Sequence, residues 1–487
     1  MLTLLLAIPL VGALGLVPVQ NNSPYVESRI KRVALGTTLL TFVVSLVMWA
    51  QFDSSTSQYQ FTQEYVLLED ISFCHLHLGV DSISLYFVLL TTFIMPVCIL
   101  SHWSNIKVSL KELLIAFLVL ESLLLAVFLV LDLLLFYVFF ESVLIPLFLI
   151  VGVWGGSATR VRAAFLLFLY TLFGSLFMLV AFLVIFYNVG STDYQVLSLS
   201  EISLESQKVL WLAIFLSMAV KTPLVPFNTW LTYAHSEAPV GGSIVLAGVI
   251  LKLATYGYLR VLLQFLPDAS YYYGPLVQAV AVVSLIYASL VTLRQTDFKK
   301  LVAYSSVAHM AVVVLGLFSN TVQGIEGALL LSIAHGFVSP ALFFLVGGVL
   351  YDRYHTRTIR YYRGLTVYMP LFSLFFFLFT IFNAAVPLSA NWAGEFLCLT
   401  GVFQQNPVVA VLGSTGIVLS AAYSIWLYNR MAFGSWSPYL SYTTDLSRRE
   451  YMILLPLLFM TVLLGVFPNI VLDTLHVGVS QLLYTAS

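Results

Sequence analysis

The sequence predicts an all-α, polytopic membrane protein with about fourteen transmembrane helices. Hydrophobic residues make up 60% of its 487 residues and charged residues only 9%, whereas a soluble domain is typically about 25% charged. The apolar residues form long runs near the ~20 residues that an α-helix needs to cross a bilayer. Because these runs lack period-two alternation, they favour helices over strands. Both observations exclude a soluble domain.

Fourteen apolar segments follow one another along the chain, and two of them are interrupted. They lie roughly at 2–18, 33–50, 81–100, 111–129, 132–152, 163–188, 209–233, 239–263, 273–293, 300–318, 323–351, 369–402, 408–431 and 452–470. Segment 7 is broken at Pro223 and Pro226 and segment 12 at Pro387, because proline removes a backbone hydrogen bond and kinks or breaks a helix. The first segment has no basic residue ahead of it, which favours a membrane span over a cleaved signal.

The basic residues sort between the two sides of this topology. Of the 21 lysines and arginines, all but four fall in loops on one side, which we call the basic side. Lys208 and Arg260 fall on the opposite side, and Lys221 and Lys252 lie inside spans. By the positive-inside rule, the basic side faces the cytoplasm or its mitochondrial counterpart, the matrix, and both termini lie on the opposite side.

The spacing of the two broken helices predicts an internal repeat. The two broken helices, segments 7 and 12, are five segments apart. Segments 4 to 8 and 9 to 13 therefore read as two copies of one five-helix unit. An odd number of spans per copy makes the copies inverted, an architecture that holds an ion near mid-membrane at interrupted helices. The predicted units are N-terminal helices 1 to 3 at 1–110, a first repeat at 111–263, a second repeat at 273–431, and helix 14 with a tail at 432–487.

Two lysines lie deep inside these apolar segments. Lys221 precedes the break at Pro223, and Lys252 lies in a run, 241–263, that contains no acid. An intramembrane charge costs at least ~2.5–3.5 kcal/mol and usually faces a polar cavity that serves an ion pathway. Lysines near helix ends can extend to the headgroups, but these two are too deep. They predict a transport pathway rather than a structural pair.

Three glutamates and two histidines add further titratable groups inside spans. Glu121 and Glu141 flank a tight turn at similar depths, roughly 15 Å in, so one polar chamber could hold both. Glu395 follows the second break, and His309 and His335 can titrate near neutral pH. With the two lysines, they predict a chain of protonatable sites along the membrane plane. Simple structural hydrogen bonds remain an open alternative for the glutamates and histidines.

The immediate sequence neighbours of Glu395 are apolar. Trp392, Phe396 and Leu397 predict that its carboxyl group is surrounded by apolar side chains. Such an environment favours the protonated acid, because burial disfavours the charged form of a carboxyl group.

No metal or redox motif stands out in the sequence. The three cysteines are far apart and odd in number, which favours free buried thiols over a disulfide framework: Cys74, Cys98 and Cys398. His75 and His77, beside Glu69 and Asp70, form a weak candidate metal pair with no further ligand nearby. The chain has no GxGxxG after a strand and no bis-histidine haem pair. A net charge of −1 gives no reason to expect a nucleic-acid partner.

Several motifs resemble the antiporter-like membrane subunits of respiratory complex I, the proton-pumping NADH:ubiquinone oxidoreductase. They run from about Gly79 to Arg430: Leu135-Phe-Tyr-Val-Phe-Phe-Glu141, Lys221-Thr-Pro-Leu-Val-Pro-Phe-Asn-Thr-Trp-Leu231, His235-Ser-Glu-Ala-Pro239, Ser305-Ser-Val-Ala-His-Met310, Ala334-His-Gly-Phe-Val-Ser339, Leu350-Tyr-Asp-Arg353 and Gly394-Glu-Phe396. The Leu-Tyr-Asp-Arg element and the chain length favour the subunit 4 branch over subunits 2 and 5.

The resemblance implies roles for four of the buried charges. Glu141 and Lys221 would be the family's Glu–Lys pair, Lys252 the connecting lysine and Glu395 the terminal site of a proton pathway. A glutamate at 395 is similar to mitochondrial versions, whereas bacterial relatives commonly have lysine there. The implied location is the mitochondrial inner membrane, with the bacterial plasma membrane as the alternative.

The resemblance also implies partners. The chain would hold no cofactor, while NADH, FMN, iron–sulfur clusters and ubiquinone would act in partner subunits. Those partners would be other membrane-arm subunits, especially the antiporter-like subunits 2 and 5, together with membrane lipids. The alternative function is a subunit of a multisubunit cation/proton antiporter, which carries out no redox reaction.

Overall fold

The computed structural model describes residues 1–19, 23–66, 75–104, 108–435 and 437–484, most of which are helical. The helices of the first half are α1 (Leu2–Leu16), α2 (Pro24–Ala50), α3 (Ser82–Ser101), α4 (Leu110–Leu129), α5 (Leu133–Ser142), α6 (Leu144–Trp154), α7 (Arg160–Val189), α8 (Tyr194–Leu199), α9 (Leu204–Lys221), α10 (Thr229–Glu237), α11 (Val240–Val245) and α12 (Leu251–Gly257).

The second half is also helical. Its helices are α13 (Pro267–Leu293), α14 (Phe298–Leu317), α15 (Val322–Phe343), α16 (Asp352–Tyr354), α17 (Leu365–Tyr368), α18 (Pro370–Asn383), α19 (Ala390–Gln405), α20 (Pro407–Ala432), α21 (Arg448–Val466) and α22 (Asn469–Tyr484), with a short 3₁₀ turn at Ile359–Tyr361. The last helix, α22, lies almost wholly beyond the fourteenth predicted segment.

The apolar segments are helical as predicted. Within the described residues, eleven helical stretches are long and apolar enough to cross a membrane, and α1 and α18 are shorter apolar helices. Both predicted interruptions are present: α9 ends at Lys221 and α10 begins at Thr229, while α18 ends at Asn383 and α19 begins at Ala390. The count of fourteen spans, the unit boundaries and the inverted repeats stay predictions.

Two largely buried stretches form the centre of the bundle: Val240–Leu263 is buried throughout, and Val322–Tyr354 is buried except near its two ends. Each departs from regular α-helix in π-helical turns, which lie at Leu246–Ile250, Tyr258–Leu263 and Phe344–Tyr351. Such wide turns are rare and are frequent at functional sites, because they displace backbone groups from the regular hydrogen-bond ladder. The two central stretches carry Lys252 and His335.

Polar caps explain why several helices begin where they do. The Asp81 carboxylate accepts from Ser84 N at the start of α3, and the Asp132 carboxylate accepts from Leu135 N at the start of α5. Ser389 caps α19 directly after the second break. Each cap satisfies a backbone N–H that the first helical turn leaves free.

One loop contains strands that the all-helical prediction missed. Strands β1 (Gln60–Val66) and β2 (His75–Val80) pair antiparallel between α2 and α3. The alternation of polar and apolar residues in β2 is typical of a half-buried strand, but it lies outside the long apolar runs. Leu131 N donates to the His77 carbonyl oxygen at 2.9 Å, so the hairpin is fastened to the turn between α4 and α5.

Candidate functional site

Lys252 and His335 form a buried pair between the two central stretches. Lys252 Nζ lies 2.9 Å from His335 Nδ1 and donates to the Ala247 carbonyl oxygen at 2.6 Å. Both side chains are buried. An ammonium group has donors only, so His335 Nδ1 accepts the hydrogen bond when Lys252 is charged. The structure therefore supplies the partner that the acid-free run around Lys252 lacks.

His309 and Glu395 form a second buried pair next to the first. His309 Nδ1 lies 2.8 Å from Glu395 Oε1, which joins α14 to α19, the helix after the second break. The rings of His309 and His335 are 5.7 Å apart between centroids. The Nε2 atoms of both rings are buried without a hydrogen-bond partner among the described residues. Four titratable side chains thus follow one another from Lys252 to Glu395.

A small cavity adjoins the end of this line. It has a volume of about 10 Å³ and is lined by Glu395, His309, Ser420 and Tyr423, among other residues. A site of this size holds about one water molecule where polar partners are present. The Tyr423 hydroxyl is buried and has no partner among the described residues, so a water there would have polar neighbours.

Lys221 lies at the first break, close to Glu141. Its Nζ donates to the Phe140 carbonyl oxygen at 3.0 Å and sits 3.4 Å from the centroid of the Phe140 ring. Both carboxylate oxygens of Glu141 are buried without a hydrogen bond that meets strict geometry, and the Lys221 charge and Ser175 hydroxyl are their polar neighbours. The two charges interact across space, and no direct ion pair joins them in the described chain.

Lys221 and Lys252 belong to separate groups. No hydrogen bond among the described residues joins the two lysines, and Thr222 Oγ1, next to Lys221, donates to the Tyr258 hydroxyl at 3.0 Å in the stretch that carries Lys252. Tyr258 begins the π-helical turn that follows α12. A proton that passes from Lys221 to Lys252 therefore has no direct hydrogen bond between the two side chains to follow among the described residues.

Glu121 lies apart from the other candidates. Its Oε1 accepts from Thr41 Oγ1 of α2 at 2.7 Å, and its Oε2 has no partner among the described residues. The structure does not bring Glu121 and Glu141 into one polar chamber, because α4 turns Glu121 toward α2. A hydrogen bond between helices describes the observed contact.

The predicted apolar surround of Glu395 is wrong in two places. Trp392 and Phe396 are 38% and 54% exposed, and their rings stack on each other 5.6 Å apart. Neighbouring residues of a helix point about 100° apart, so Phe396 faces outward when Glu395 faces inward. The polar group at Glu395 is His309, which sequence neighbours could not reveal.

A polar group on the basic side was missed by the sequence analysis. Glu237 Oε1 accepts from Arg357 Nη1 at 3.0 Å, and its other oxygen accepts from the Ser157 hydroxyl. Burial raises the pKa of Glu237, but the Ser157 hydrogen bond and the Arg357 charge outweigh it and hold that pKa below its ordinary value. Glu237 belongs to the His-Ser-Glu-Ala-Pro motif, which contributes to the family resemblance, but no partner was predicted for it.

One lysine and one histidine, Lys299 and His235, extend this group toward the interior. Lys299 is 2% exposed and its Nζ donates to the Ala238 carbonyl oxygen at 3.2 Å. His235 is fully buried, stacks on Phe343 at 4.5 Å, and has no partner for either ring nitrogen among the described residues. Lys299 lies two residues into α14, so the sequence alone placed it in a loop.

The structure lends no support to the candidate metal pair of His75 and His77. His77 Nδ1 pairs with Asp193 Oδ2 at 2.7 Å, and Glu69, Asp70 and Cys74 lie outside the described residues. No group of three His, Cys, Asp or Glu side chains arranged to hold a metal occurs in the part of the chain that is described. Cys98 and Cys398 are buried free thiols.

Comparison with known proteins places the chain among membrane subunits. Residues 130–420 match the family model described as "NADH:quinone oxidoreductase/Mrp antiporter, TM". The chain is 76% identical over 487 residues to NADH-ubiquinone oxidoreductase chain 4 of Mycosarcoma maydis, with 100% of both chains covered. It is 49% identical over 481 residues to the protein of that name in Arabidopsis thaliana, covering 98% of this chain and 96% of that one.

Solved structures show the same fold. A chain of respiratory complex I from Thermus thermophilus with bound NADH superposes with a TM-score of 0.88 at 28% identity, covering 99% of this chain and 100% of that one. A chain of the membrane-bound sulfane sulfur reductase, an archaeal respiratory membrane complex, gives a TM-score of 0.87 at 21% identity, covering 100% and 99%. The second likeness concerns the fold alone.

Proposed function

Because the chain belongs to the membrane-subunit family of NADH:quinone oxidoreductases and Mrp antiporters, we propose that Lys252, His335, His309 and Glu395 carry protons through it. The chain is an antiporter-like membrane subunit of respiratory complex I, as its full-length relatives named chain 4 support. The observation that carries the proposal is the presence of two hydrogen-bonded pairs, 2.9 and 2.8 Å long, whose imidazole rings lie 5.7 Å apart between centroids.

The chemistry of these four groups suits proton transfer. Histidine can take a proton on one ring nitrogen and release it from the other, and neither Nε2 atom has a hydrogen-bond partner within the part of the chain that the structure describes. Lysine and glutamate at the two ends can each hold or release a proton when their surroundings change. Structural hydrogen bonds alone would not require every member of the line to be titratable.

The Mrp-type cation/proton antiporter is the less favoured alternative. The family model covers both classes, but relatives at 76% and 49% identity over nearly the full length are named as chain 4 of NADH-ubiquinone oxidoreductase. One chain of the respiratory complex I from Thermus thermophilus has the same fold as this chain at 28% sequence identity. These comparisons favour a role coupled to electron transfer.

Lys221 and Glu141 would control loading of the line. A carboxylate about 7 Å from an ammonium contributes roughly 2.4 kcal/mol at an effective dielectric of 20, whereas moving a proton against ~200 mV costs about 4.6 kcal/mol. One such pair is too weak to drive the step. Glu141 would therefore modulate Lys221, and the Lys252 line and changes in hydration would supply the rest.

Uptake would begin on the basic side. Glu237 and Lys299 lie there, and buried His235 follows them toward Lys252. His235 has two free ring nitrogens among the described residues, so it can accept a proton without breaking an existing bond. This order gives the His-Ser-Glu-Ala-Pro motif a place at the start of the pathway.

The redox reaction would occur in partner subunits. NADH oxidation with FMN and iron–sulfur clusters, and reduction of ubiquinone, would use groups that those partners hold. The chain would contact the antiporter-like subunits 2 and 5 and membrane lipids in the mitochondrial inner membrane. Its two broken helices would occupy equivalent positions in two inverted five-helix repeats, at 111–263 and 273–431, among about fourteen spans.

The test is to remove the first member of the line within the whole complex. In liposomes, the Lys252→Met complex should assemble but lose most NADH-driven proton translocation, because the apolar side chain fills the space and holds no proton. Lys208→Met is the matched control, since Lys208 pairs on the surface with Glu205. Normal translocation by assembled Lys252→Met would refute the proposal.

A further inference from the structure

A further buried charge, Arg260, lies on the side opposite the basic side, and the proposed line does not use it. Arg260 is 4% exposed and its Nη2 lies 2.6 Å from Asp81 Oδ2. It belongs to the π-helical turn that follows α12, eight positions beyond Lys252 in the same buried stretch. The sequence placed Arg260 near a loop, so its burial is a finding of the structure.

The other donors of Arg260 also have defined partners. Nη1 donates to the Tyr59 hydroxyl at 3.1 Å and to Gln264 Oε1 at 3.0 Å, and Nε donates to the Tyr256 hydroxyl at 3.2 Å. The Tyr194 side chain is a further electrostatic neighbour. The guanidinium group thus donates to the hydroxyl and amide oxygens around it and pairs with the Asp81 carboxylate.

The hairpin holds this cluster in place. Tyr59 directly precedes β1, and Asp81 directly follows β2 and caps α3. Gly79 approaches both Tyr59 and Leu131 so closely that an added Cβ would meet Leu131 Cδ1 at 2.6 Å. Two partners of Arg260 therefore come from the two ends of the hairpin.

Aromatic rings occupy the space between Arg260 and Lys221. The Tyr256 ring lies 6.2 Å from Phe136, which lies 5.4 Å from Phe140, the ring under the Lys221 ammonium. Phenylalanine rings neither donate nor accept protons. These rings block a direct route from Lys221. A route to the opposite side would therefore start at Lys252 and pass the Tyr256 hydroxyl, four positions further along the same stretch, before it meets Arg260.

Arginine ends a proton pathway because it does not exchange its proton. A proton hops along hydrogen bonds only if each group can both receive and release one, and the guanidinium group stays protonated throughout the working range. The oxygens of Tyr59, Tyr256 and Gln264 are already engaged by its N–H groups. Lysine, histidine and glutamate, which form the proposed line, lack this restriction.

We propose that Arg260, fixed by Asp81, Tyr59 and Tyr256, is a proton stop that seals the first half of the chain against the side opposite the basic side. It rests on the proposed function, because it directs protons held at Lys221 and Lys252 sideways toward Glu395. Arg260 carries no proton itself, but it determines the direction in which protons move. It prevents protons from returning from the opposite side to the lysines.

The test replaces Arg260 by a group of similar polarity that does exchange protons. Complexes with Arg260→His are reconstituted in liposomes, and passive proton flux under an imposed pH gradient is measured without NADH. A histidine beside Asp81 takes and releases a proton near neutral pH, so the flux should rise several-fold and vary with pH in that range. Arg260→Met, with no exchangeable proton, should stay near the wild-type flux.

Arg353→His is the matched control for loss of a buried ion pair. Arg353 Nη2 lies 2.8 Å from Glu450 Oε2 on the basic side, away from the cluster, so this variant should remain proton-tight. An assembled Arg260→His complex as tight as wild type would overturn the proposal, as would equal leaks in Arg260→His and Arg260→Met. If Arg260→His does not assemble, Arg260→Lys keeps the charge, can release a proton and should leak.

The passive measurement separates this proposal from the proposed function. It involves no electron transfer, so its result does not depend on whether the line through Lys252 pumps. Normal pumping by Lys252→Met would count against the proposed function, whereas a proton-tight Arg260→His complex would count against the proton stop alone.

Discussion

Lys221 shows how one intramembrane charge can be stable and still responsive. Its ammonium is satisfied by a carbonyl oxygen and the ring of the same residue, Phe140, and Glu141 acts on it without a direct ion pair. A direct, fully hydrogen-bonded ion pair would hold the lysine proton firmly, because each charge stabilises the other. The looser arrangement lets a small movement of Glu141 change the proton affinity of Lys221.

Two substitutions of Lys221 separate charge from proton exchange. Lys221→Ala should leave the complex assembled and lower coupled NADH:quinone activity severely. Lys221→Arg keeps a cation over Phe140, but it should fail as well, because a guanidinium group does not release its proton in the working range.

NADH oxidation with quinone, with and without an uncoupler, measures this loss. Assembly is checked independently by the NADH-oxidising activity with an artificial electron acceptor, which needs no proton pathway. Full coupled activity of Lys221→Arg with an intact proton gradient would show that only the positive charge matters at this position.

At the scale of elements, the sequence predicted what depends on local composition. Long apolar runs marked the spans, and Pro223, Pro226 and Pro387 marked both interruptions, because solvent and backbone hydrogen bonding act on each segment separately. The hairpin was missed, since its short alternating strands carry a much weaker signal. Lys299 and Arg260 were misplaced, because burial near a span end depends on neighbouring elements.

The contact between α10 and the loop after α16 should be sensitive to acid. The pKa of Glu237 is lowered in the folded protein, so its ionised form stabilises this contact above the ordinary value of 4.5. That contribution is lost as the pH falls through the lowered value. Arg357→Gln removes one cause of the shift and should cost about 2 kcal/mol at pH 7, and this cost should shrink once the pH falls below the lowered pKa of Glu237.

Thermal dissociation of the whole complex, measured from pH 7 down to well below pH 4.5, follows this difference. Arg360→Gln is the control, because Arg360 is exposed in the same loop and should behave like wild type throughout this range. A loss of stability by Arg357→Gln that is equal throughout this range would show that the contact does not depend on the charge of Glu237.

At the scale of the whole molecule, the sequence predicted which residues form the site better than it predicted their pairing. Every buried titratable candidate lies inside a helix, but the pairs join distant segments: Lys252 with His335, and His309 with Glu395. Such pairing depends on how helices pack, which periodicity does not record. Glu121 shows the reverse case, because equal depth placed it with Glu141 and packing placed it against Thr41.

The last members of the line, His309 and Glu395, should act as one unit. Glu395→Gln can keep a hydrogen bond to His309 Nδ1 but holds no exchangeable acid proton, so pumping should fall while assembly survives. His309→Gln should have a similar effect, and the double variant should lose little more than either single one, because groups in one pathway are strongly non-additive. Glu395→Lys should restore part of the pumping, since its ammonium can donate to His309 Nδ1 as Lys252 donates to His335.

The measurement is the number of protons translocated per NADH oxidised in liposomes. Normal pumping by Glu395→Gln would mean that protons do not pass through Glu395, and additive losses in the double variant would mean that His309 and Glu395 serve separate pathways.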